Sequence, residues 1–359
     1  MRRSDRIRSA VALLLSVVLL LSSLASCSGP NLEGLSGDEL RTYTAMKTEN
    51  FEVTGSMFAY YFFTFGPMYV SNITEEELSE RGFDENKPLK KQKYDSNRTW
   101  YDYICEYVVS EIENTLVWCE AALDAGITLT EDDYAYVNET LTNERVKTVL
   151  YYNTDYATYL NQAYFGYVNE EDVTKVMLME TLVAKYDAYL ETLVKENMTQ
   201  ERVDAHVATM TGELDTTLTR NLAHIFVSYE SYDEDQAYEN IKTAKTKFEE
   251  QGKTDAAFES LWKEYSMDAN MIYENVAPGE MVTAMDEWLY TEGRAVGDLG
   301  IVSSDDGCHL LYYISVGDPV YIATAKQELT PIIAAELMAQ KRAEIKITKK
   351  KNVLNAIDI

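Results

Sequence analysis

Ala223-His224-Ile225-Phe226-Val227 is the stretch on which the fold turns. It is a short apolar run of β-formers with one histidine inside it, and it reads as a buried strand. Residues 96 to 220 before it show helices with no strand between them, so a new domain begins at about Leu222. Farther on, Gly307-Cys308-His309-Leu310-Leu311-Tyr312-Tyr313-Ile314 reads as a closing central strand, again carrying a histidine. The whole chain holds three histidines, and two of them fall in these two strands. Between the strands an acidic helix is expected from about Asp233 to Gly252 and a second from Ala256 to Tyr265. The segment from Ala269 to Val302 reads as irregular, with one short helix near Met285.

Upstream, Trp100, Tyr103, Ile104, Tyr107, Val108, Ile112, Leu116, Cys119 and Leu123 follow the i, i+3, i+4 spacing of one buried stripe, predicting a helix from Ser96 that Gly126 ends. Thr130 followed by Glu131, Asp132 and Asp133 is an N-cap with acids against the positive helix end, opening a helix to about Tyr152. A shorter helix is expected from Thr154 to Phe165, a long amphipathic one from Asn169 to Glu196, and a short restart after Met198-Thr199. Downstream, Thr330-Pro331 reads as an N-cap with proline at the first helical position, launching a helix to about Glu344. The tail from Ile345 to Ile359 is basic and alternating, an edge strand or a packed extension. No proline falls between Pro88 and Pro278, which suits long helices.

The 359 residues suggest two domains at roughly 150 residues each. A formal net charge of −28 with no compensating basic run argues against nucleic-acid binding. Hydrophobic residues make up 46% and tyrosines number 27, too many core-forming side chains for a disordered acidic chain. At the start, Arg2, Arg3, Arg6 and Arg8 precede an uncharged run from Ser9 to Ala25, the architecture of an export signal. The run closes on Leu24-Ala25-Ser26-Cys27, which resembles the lipobox of bacterial lipoproteins, where the cysteine is acylated. Removing residues 1 to 26 takes away four Arg and one Asp and leaves a charge of −31. Such a body is repelled by anionic lipid within a Debye length, so the acyl chains have to supply the attachment. Of the other cysteines, Cys105 and Cys119 lie 14 residues apart in one expected helix, about 21 Å of rise, and cannot bridge. Cys105, Cys119 and Cys308 read as buried small hydrophobes.

From residue 222 to 316 the order strand, helix, helix, loop, short helix, strand resembles the parvulin family of peptidyl-prolyl isomerases. Four pieces carry the resemblance. Residues 223–227 match the family's first-strand histidine motif. Phe258-Glu259-Ser260-Leu261-Trp262-Lys263-Glu264-Tyr265-Ser266-Met267-Asp268 matches its helix and the Ser-x-Asp that follows. Gly279-Glu280-Met281-Val282, with Met285 and Trp288, is similar to the loop and helix that line its proline pocket. Gly307-Cys308-His309-Leu310-Leu311 is similar to its last strand. The wider layout, lipobox, helical region, parvulin-like unit and C-terminal helix, is similar to foldases of the PrsA and SurA type, in which helices before and after the isomerase unit form a chaperone domain.

The resemblance implies an α+β fold: a helical chaperone-like domain built from N- and C-terminal segments, plus a small parvulin-like α/β domain with an antiparallel-rich central sheet. Its divisions would be a signal peptide at 1–26, a lipidated tether at 27–40, the helical domain at 41–218, the parvulin-like domain at 219–318, and a C-terminal helix and tail at 319–359 packing on the helical domain. It implies a membrane-anchored, extracytoplasmic prolyl isomerase acting on exported unfolded polypeptides, without cofactor or metal. His224 and His309 would lie side by side with Asp268 and Ser304 at the rim, and Met281, Met285 and Trp288 would seat the proline ring. The chain departs from the family after Asp268. A glycine-rich Gly-Gly-Asp-Leu-Gly is usual there, whereas Ala269 to Val276 holds no glycine and Met285 stands where a Phe is usual. A degenerate parvulin-like chaperone is therefore the alternative. A lipid-anchored solute-binding protein is disfavoured because it needs two α/β lobes. Oligomeric state is left open, a dimer included.

Overall fold

A computed structural model describes residues 32–357. The expected signal peptide, Cys27 and the first residues of the tether lie outside the described residues. In chain order come α1 (Gly37–Leu40), β1 (Thr44–Lys47), β2 (Glu52–Thr54), α2 (Gly55–Ser71), α3 (Glu75–Glu80), α4 (Trp100–Asp124), α5 (Glu131–Tyr152), α6 (Tyr156–Ala163), α7 (Glu170–Asn197) and α8 (Gln200–Val207). They are followed by β3 (Leu218–Ser228), α9 (Glu234–Glu250), α10 (Asp255–Tyr265), β4 (Ile272–Val276), α11 (Thr283–Leu289), β5 (Leu299–Ser303), β6 (Gly307–Pro319), α12 (Val320–Glu344), β7 (Thr348–Lys349) and α13 (Lys351–Leu354). The chain is thus α+β and divides into two compact units, one of residues 32–195 with 334–357 and one of residues 196–333.

In the helical unit the caps set the helix starts. Thr99 and Asp102 bond reciprocally across the first turn of α4, and Thr130 and Asp133 do the same on α5. Trp100, Ile104, Val108, Ile112, Leu116 and Cys119 of α4 are buried as one stripe. Tyr103 and Tyr107 flank it, stacked on Tyr94 and Tyr69 at centroid distances of 3.9 and 4.6 Å. The C-terminal tail is both edge strand and packed extension: β7 pairs antiparallel with β1, and Val353, Leu354, Ala356 and Ile357 beyond it are buried. Arg342 and Lys349 close on the buried Glu113 of α4 at 3.1 and 2.6 Å. Cys105, Cys119 and Cys308 are free and buried.

Thr330-Pro331 does not start a helix. Both lie inside α12, where the Thr330 hydroxyl donates to the Lys326 carbonyl at 2.8 Å. A proline removes one N–H from the helical ladder. The burial of Leu329, Ile333, Ala334 and Met338 around it outweighs that local signal.

The other unit is built on an antiparallel sheet of order β4-β3-β6-β5. Side chains alternate across it. Ala223, Ile225 and Val227 of β3, with Cys308 and Leu310 of β6, pack against Ala237, Ile241, Ala244 and Phe248 of α9 and Phe258 and Leu261 of α10. On the opposite face Leu222, Leu311 and Tyr313 pack with Val276, Met285 and Leu289. His206 of α8 meets Glu328 of α12 at 2.7 Å within this unit.

The segment read as irregular, Ala269 to Val302, contains two edge strands, β4 and β5, besides the expected short helix. Glu274 and Asn275, the latter at φ 51°, disguise β4, and Gly300 disguises β5. Gly300 is there for space, because a Cβ at that position would stand 2.0 Å from the Trp288 indole nitrogen.

Candidate functional site

In the β3–β6 pairing Phe226 stands opposite His309 and His224 opposite Leu311. The two histidines are therefore diagonal neighbours on one face, the face away from α9 and α10. Their rings stack at 5.1 Å with an interplanar angle of 18°, and the Phe226 ring packs on His309 at 4.9 Å and lies 6.3 Å from His224. Both imidazoles are buried, His224 at 3% and His309 at 5% exposure.

Buried rings need partners for both nitrogens, and here every one has a partner. Asp268 Oδ2 lies 3.0 Å from His224 Nδ1, His224 Nε2 lies 2.9 Å from His309 Nδ1, and His309 Nε2 lies 2.8 Å from Ser304 Oγ. An ionised carboxylate only accepts, so His224 donates from Nδ1. With neutral rings, His224 Nε2 then accepts from His309 Nδ1–H, and His309 Nε2 accepts from the Ser304 hydroxyl. The result is a four-residue relay of one polarity, from serine inward to aspartate. Residues 224, 268, 304 and 309, singled out in the sequence, meet in it.

The loops that hold the two ends are themselves pinned. After α10, Ser266 Oγ accepts from the backbone N–H of Phe226 at 3.1 Å and of Asp268 at 3.2 Å, and Met267 N–H donates to the Phe226 carbonyl at 2.8 Å. At the other end, Ser304 N–H donates to the Gly307 carbonyl at 2.9 Å, and Asp306 N–H donates to Ser304 Oγ at 3.2 Å. Burial works to raise the Asp268 pKa, but hydrogen bonds from His224, Tyr273 and the Asn270 N–H outweigh it and hold the carboxyl at about 2. Burial, aided by the neighbouring His224, pushes His309 down to about 4.

Tyr273 belongs to this site and was missed in the sequence. Its hydroxyl donates to Asp268 Oδ2 at 2.6 Å, and its ring meets His224 edge-on at 5.8 Å. One tyrosine among 27, in a segment without an apparent strand, gives no signal that could have found it.

Met281, Met285 and Trp288 gather in the cluster that shares the sheet face with the histidines. Met285 is 2% exposed and fills the core there, while Met281 and Trp288 are partly buried against it. Trp288 is held between Gly300 and the Arg294 guanidinium, which lies 4.0 Å from the ring centroid. Of the three, Met281 and Trp288 present surface a ligand could touch, beside the exposed Val282. Among the described residues no group of three or more His, Cys, Asp or Glu is placed to hold a metal ion, and no helix is long and apolar enough to cross a membrane.

No family model matches the chain, and no curated protein does. Among solved structures the chain is similar to PrsA from Bacillus subtilis, at 17% identity over 68% of this chain and 86% of that one, with a TM-score of 0.36. It is similar to the foldase protein PrsA from Streptococcus pneumoniae, at 15% identity over 75% and 98%, TM-score 0.25. A third likeness is to a structure described with the SurA-like chaperones PEB4 and Cj1289 of Campylobacter jejuni, at 11% identity over 86% and 100%, TM-score 0.27. All three identities are below one fifth, so the reading of function rests on the relay's own geometry.

Proposed function

We propose that the sheet unit is a peptidyl-prolyl isomerase and that the chain is an extracytoplasmic foldase acting on exported, unfolded polypeptides. The observation that supports it is the relay Asp268–His224–His309–Ser304, buried beside an apolar edge formed by Met281, Val282 and Trp288. Rotation about a peptide C–N bond faces a barrier of roughly 18–20 kcal/mol, and prolyl bonds isomerise unaided over tens to hundreds of seconds. No bond to a nucleophile or metal is needed. An apolar seat for the ring and fixed dipoles that favour the twisted amide lower that barrier. His309 stays neutral at ordinary pH, which suits a dipole in a fixed orientation better than an acid or base.

In this reading the isomerase proper is residues 219–318 and the segments 41–218 and 319–359 serve as the chaperone part, of which 196–218 and 319–333 cluster with the sheet unit, and Cys27 carries the acyl chains that hold the protein on the outer face of the membrane. A protease-coupled prolyl-peptide assay tests the catalytic part: acceleration by the wild-type chain that is lost in His309→Ala supports it, and no acceleration by the wild type removes it.

One observation favours a second reading. Tyr273 and Val276 of β4 stand on the face where a proline ring would sit, Val276 buried in the Met285 cluster and Tyr273 packed against it. A degenerate unit that only binds clients would suppress their aggregation equally well with His224→Ala and His309→Ala.

A further inference from the structure

Acid dominates this chain, with 60 Asp and Glu against 32 Lys and Arg, yet two lysine segments meet on the helical unit. One is the short 3-10 turn Leu89–Lys91 and its flanks, carrying Lys87, Lys90, Lys91 and Lys93. The other is the start of α13, with Lys350 and Lys351. They join at a defined point. Lys90 Nζ donates to the Asn355 carbonyl at 2.7 Å, and Asn355, one helical turn after Lys351, donates its N–H to the Lys351 carbonyl at 3.0 Å. Tyr101 fixes the junction from below: its hydroxyl donates to the Leu354 carbonyl at 2.6 Å, and Lys90 Nζ stands 4.9 Å over its ring.

Two carboxylates of this neighbourhood are paired with its lysines, and the exposed Glu85 lies within 4.0 Å of none. Glu33 lies 3.1 Å from Lys90, and Asp84 lies 2.9 Å from Lys87. Lys91, Lys93, Lys350 and Lys351 are exposed, with no carboxylate within 4.0 Å among the described residues. They leave a local positive surface on a strongly negative protein.

The first described residues lie at this same point. Leu32 is buried, at 4% exposure, and Glu33 is the partner of Lys90. Five residue steps lead from Cys27 to Leu32. Fully extended they span at most about 18 Å. An acyl anchor on Cys27 would therefore bring the lysine junction close to the lipid headgroups, whereas screening over about 8 Å at physiological salt mutes acids farther away. The whole-chain charge predicts repulsion from an anionic bilayer; the surface beside the tether has the opposite sign.

We propose that Lys91, Lys93, Lys350 and Lys351 dock the helical unit on the anionic headgroup surface of the membrane. The proposal rests on acylation at Cys27 as the attachment, and the charge complementarity at the tether's end selects this face. Docking there would fix which side of the unit is turned away from the bilayer toward emerging clients.

The test uses the acylated full chain in phosphatidylcholine vesicles and in vesicles containing phosphatidylglycerol, with amine acetylation read residue by residue by mass spectrometry. Labelling of Lys91, Lys93, Lys350 and Lys351 should slow about fivefold in the anionic vesicles, and recover at high salt. Lys253, exposed in the other unit, is the internal control. In Lys350→Glu/Lys351→Glu the protection of Lys91 and Lys93 should fall toward its value on neutral vesicles. Equal labelling on the two kinds of vesicle overturns the docking. So does equal protection by dissolved glycerol phosphate without vesicles, which would assign the face to a soluble anion. Acylation is scored separately, by flotation with neutral vesicles and the mass of the Cys27 peptide. If it fails, Cys27 loses its role, and labelling with excess phosphatidylglycerol vesicles still decides the lysine face.

Discussion

Acidifying the protein from pH 7 to pH 4 should remove stability from the sheet unit through one ring. An imidazole in water titrates near 6.5, and His309 is held at about 4 because burial and the adjacent His224 disfavour its charged form. A base whose folded pKa is depressed takes up its proton in the unfolded chain first. Its contribution is therefore complete above pH 6.5, declines as the pH falls from 6.5 to 4, and is exhausted below that. At about 1.4 kcal/mol for each pH unit of difference, the loss is roughly 3 kcal/mol. Asp268 continues the trend lower down: its folded pKa of about 2 against an ordinary 3.8 gives stability that disappears between those two values. Urea unfolding of the full chain at a series of pH values, beside His309→Asn, isolates the ring. The wild type should lose about 3 kcal/mol more than the variant between pH 6.5 and 4. A proton titration of the His309 ring by NMR supplies the same quantity directly. Parallel pH profiles for the two proteins, or a ring that titrates near 6.5, would refute the reasoning, because a buried ring donating Nδ1–H to its neighbour cannot behave as a free imidazole.

Tyr273→Phe removes a hydrogen bond to a carboxylate and should destabilise the sheet unit by about 1.5–3 kcal/mol, with the Asp268 carboxyl titrating higher by NMR; an unmoved Asp268 would show that the tyrosine does not hold it. Gly300→Ala puts a methyl group 2.0 Å from the Trp288 indole nitrogen, and displacing that ring should cost about 1–3 kcal/mol and change the Trp288 fluorescence, unless β5 shifts at no cost. Glu113→Ala leaves Arg342 and Lys349 without their buried partner and should cost roughly 2–4 kcal/mol. Faster amide exchange in β7 would locate the loss, and unchanged exchange would mean that apolar contacts alone hold the tail.

Where the chain's own chemistry is local, it was legible. Thr130 with its three acids opens α5, Gly126 follows the end of α4, and the two histidine-bearing runs are the central strands. Those signals are caps, turns and continuous apolar runs, which depend on neighbours in sequence. The missed features depend on neighbours in space. β4 is a strand because β3 offers it an edge, not because Tyr273-Glu274-Asn275 favours extension. Gly300 tolerates its place in β5 because an indole lies on it, and Pro331 sits inside α12 because the apolar residues on both sides are buried. Of the site, the relay's four members could be singled out from a resemblance, but the tyrosine that orders them could not.

The absence of glycine after Asp268 and the order of the relay are linked. Residues 272–276 run as β4: alternation turns Tyr273 toward the histidine face while Ile272 and Glu274 are exposed, and the register irregularity at Asn275, φ 51°, brings Val276 onto that face as well. Tyr273 then gives Asp268 a second strong donor, which deepens its preference for the ionised form and fixes His224 as donor from Nδ1. Each later member inherits its polarity from that choice, so the serine hydroxyl proton points inward and its lone pairs point out. The segment that makes the dipole chain more rigid also covers part of the apolar face beside it. On the proposed reading a fixed field and an apolar seat both speed rotation about a prolyl bond, and β4 strengthens the first while covering part of the face that would hold the second.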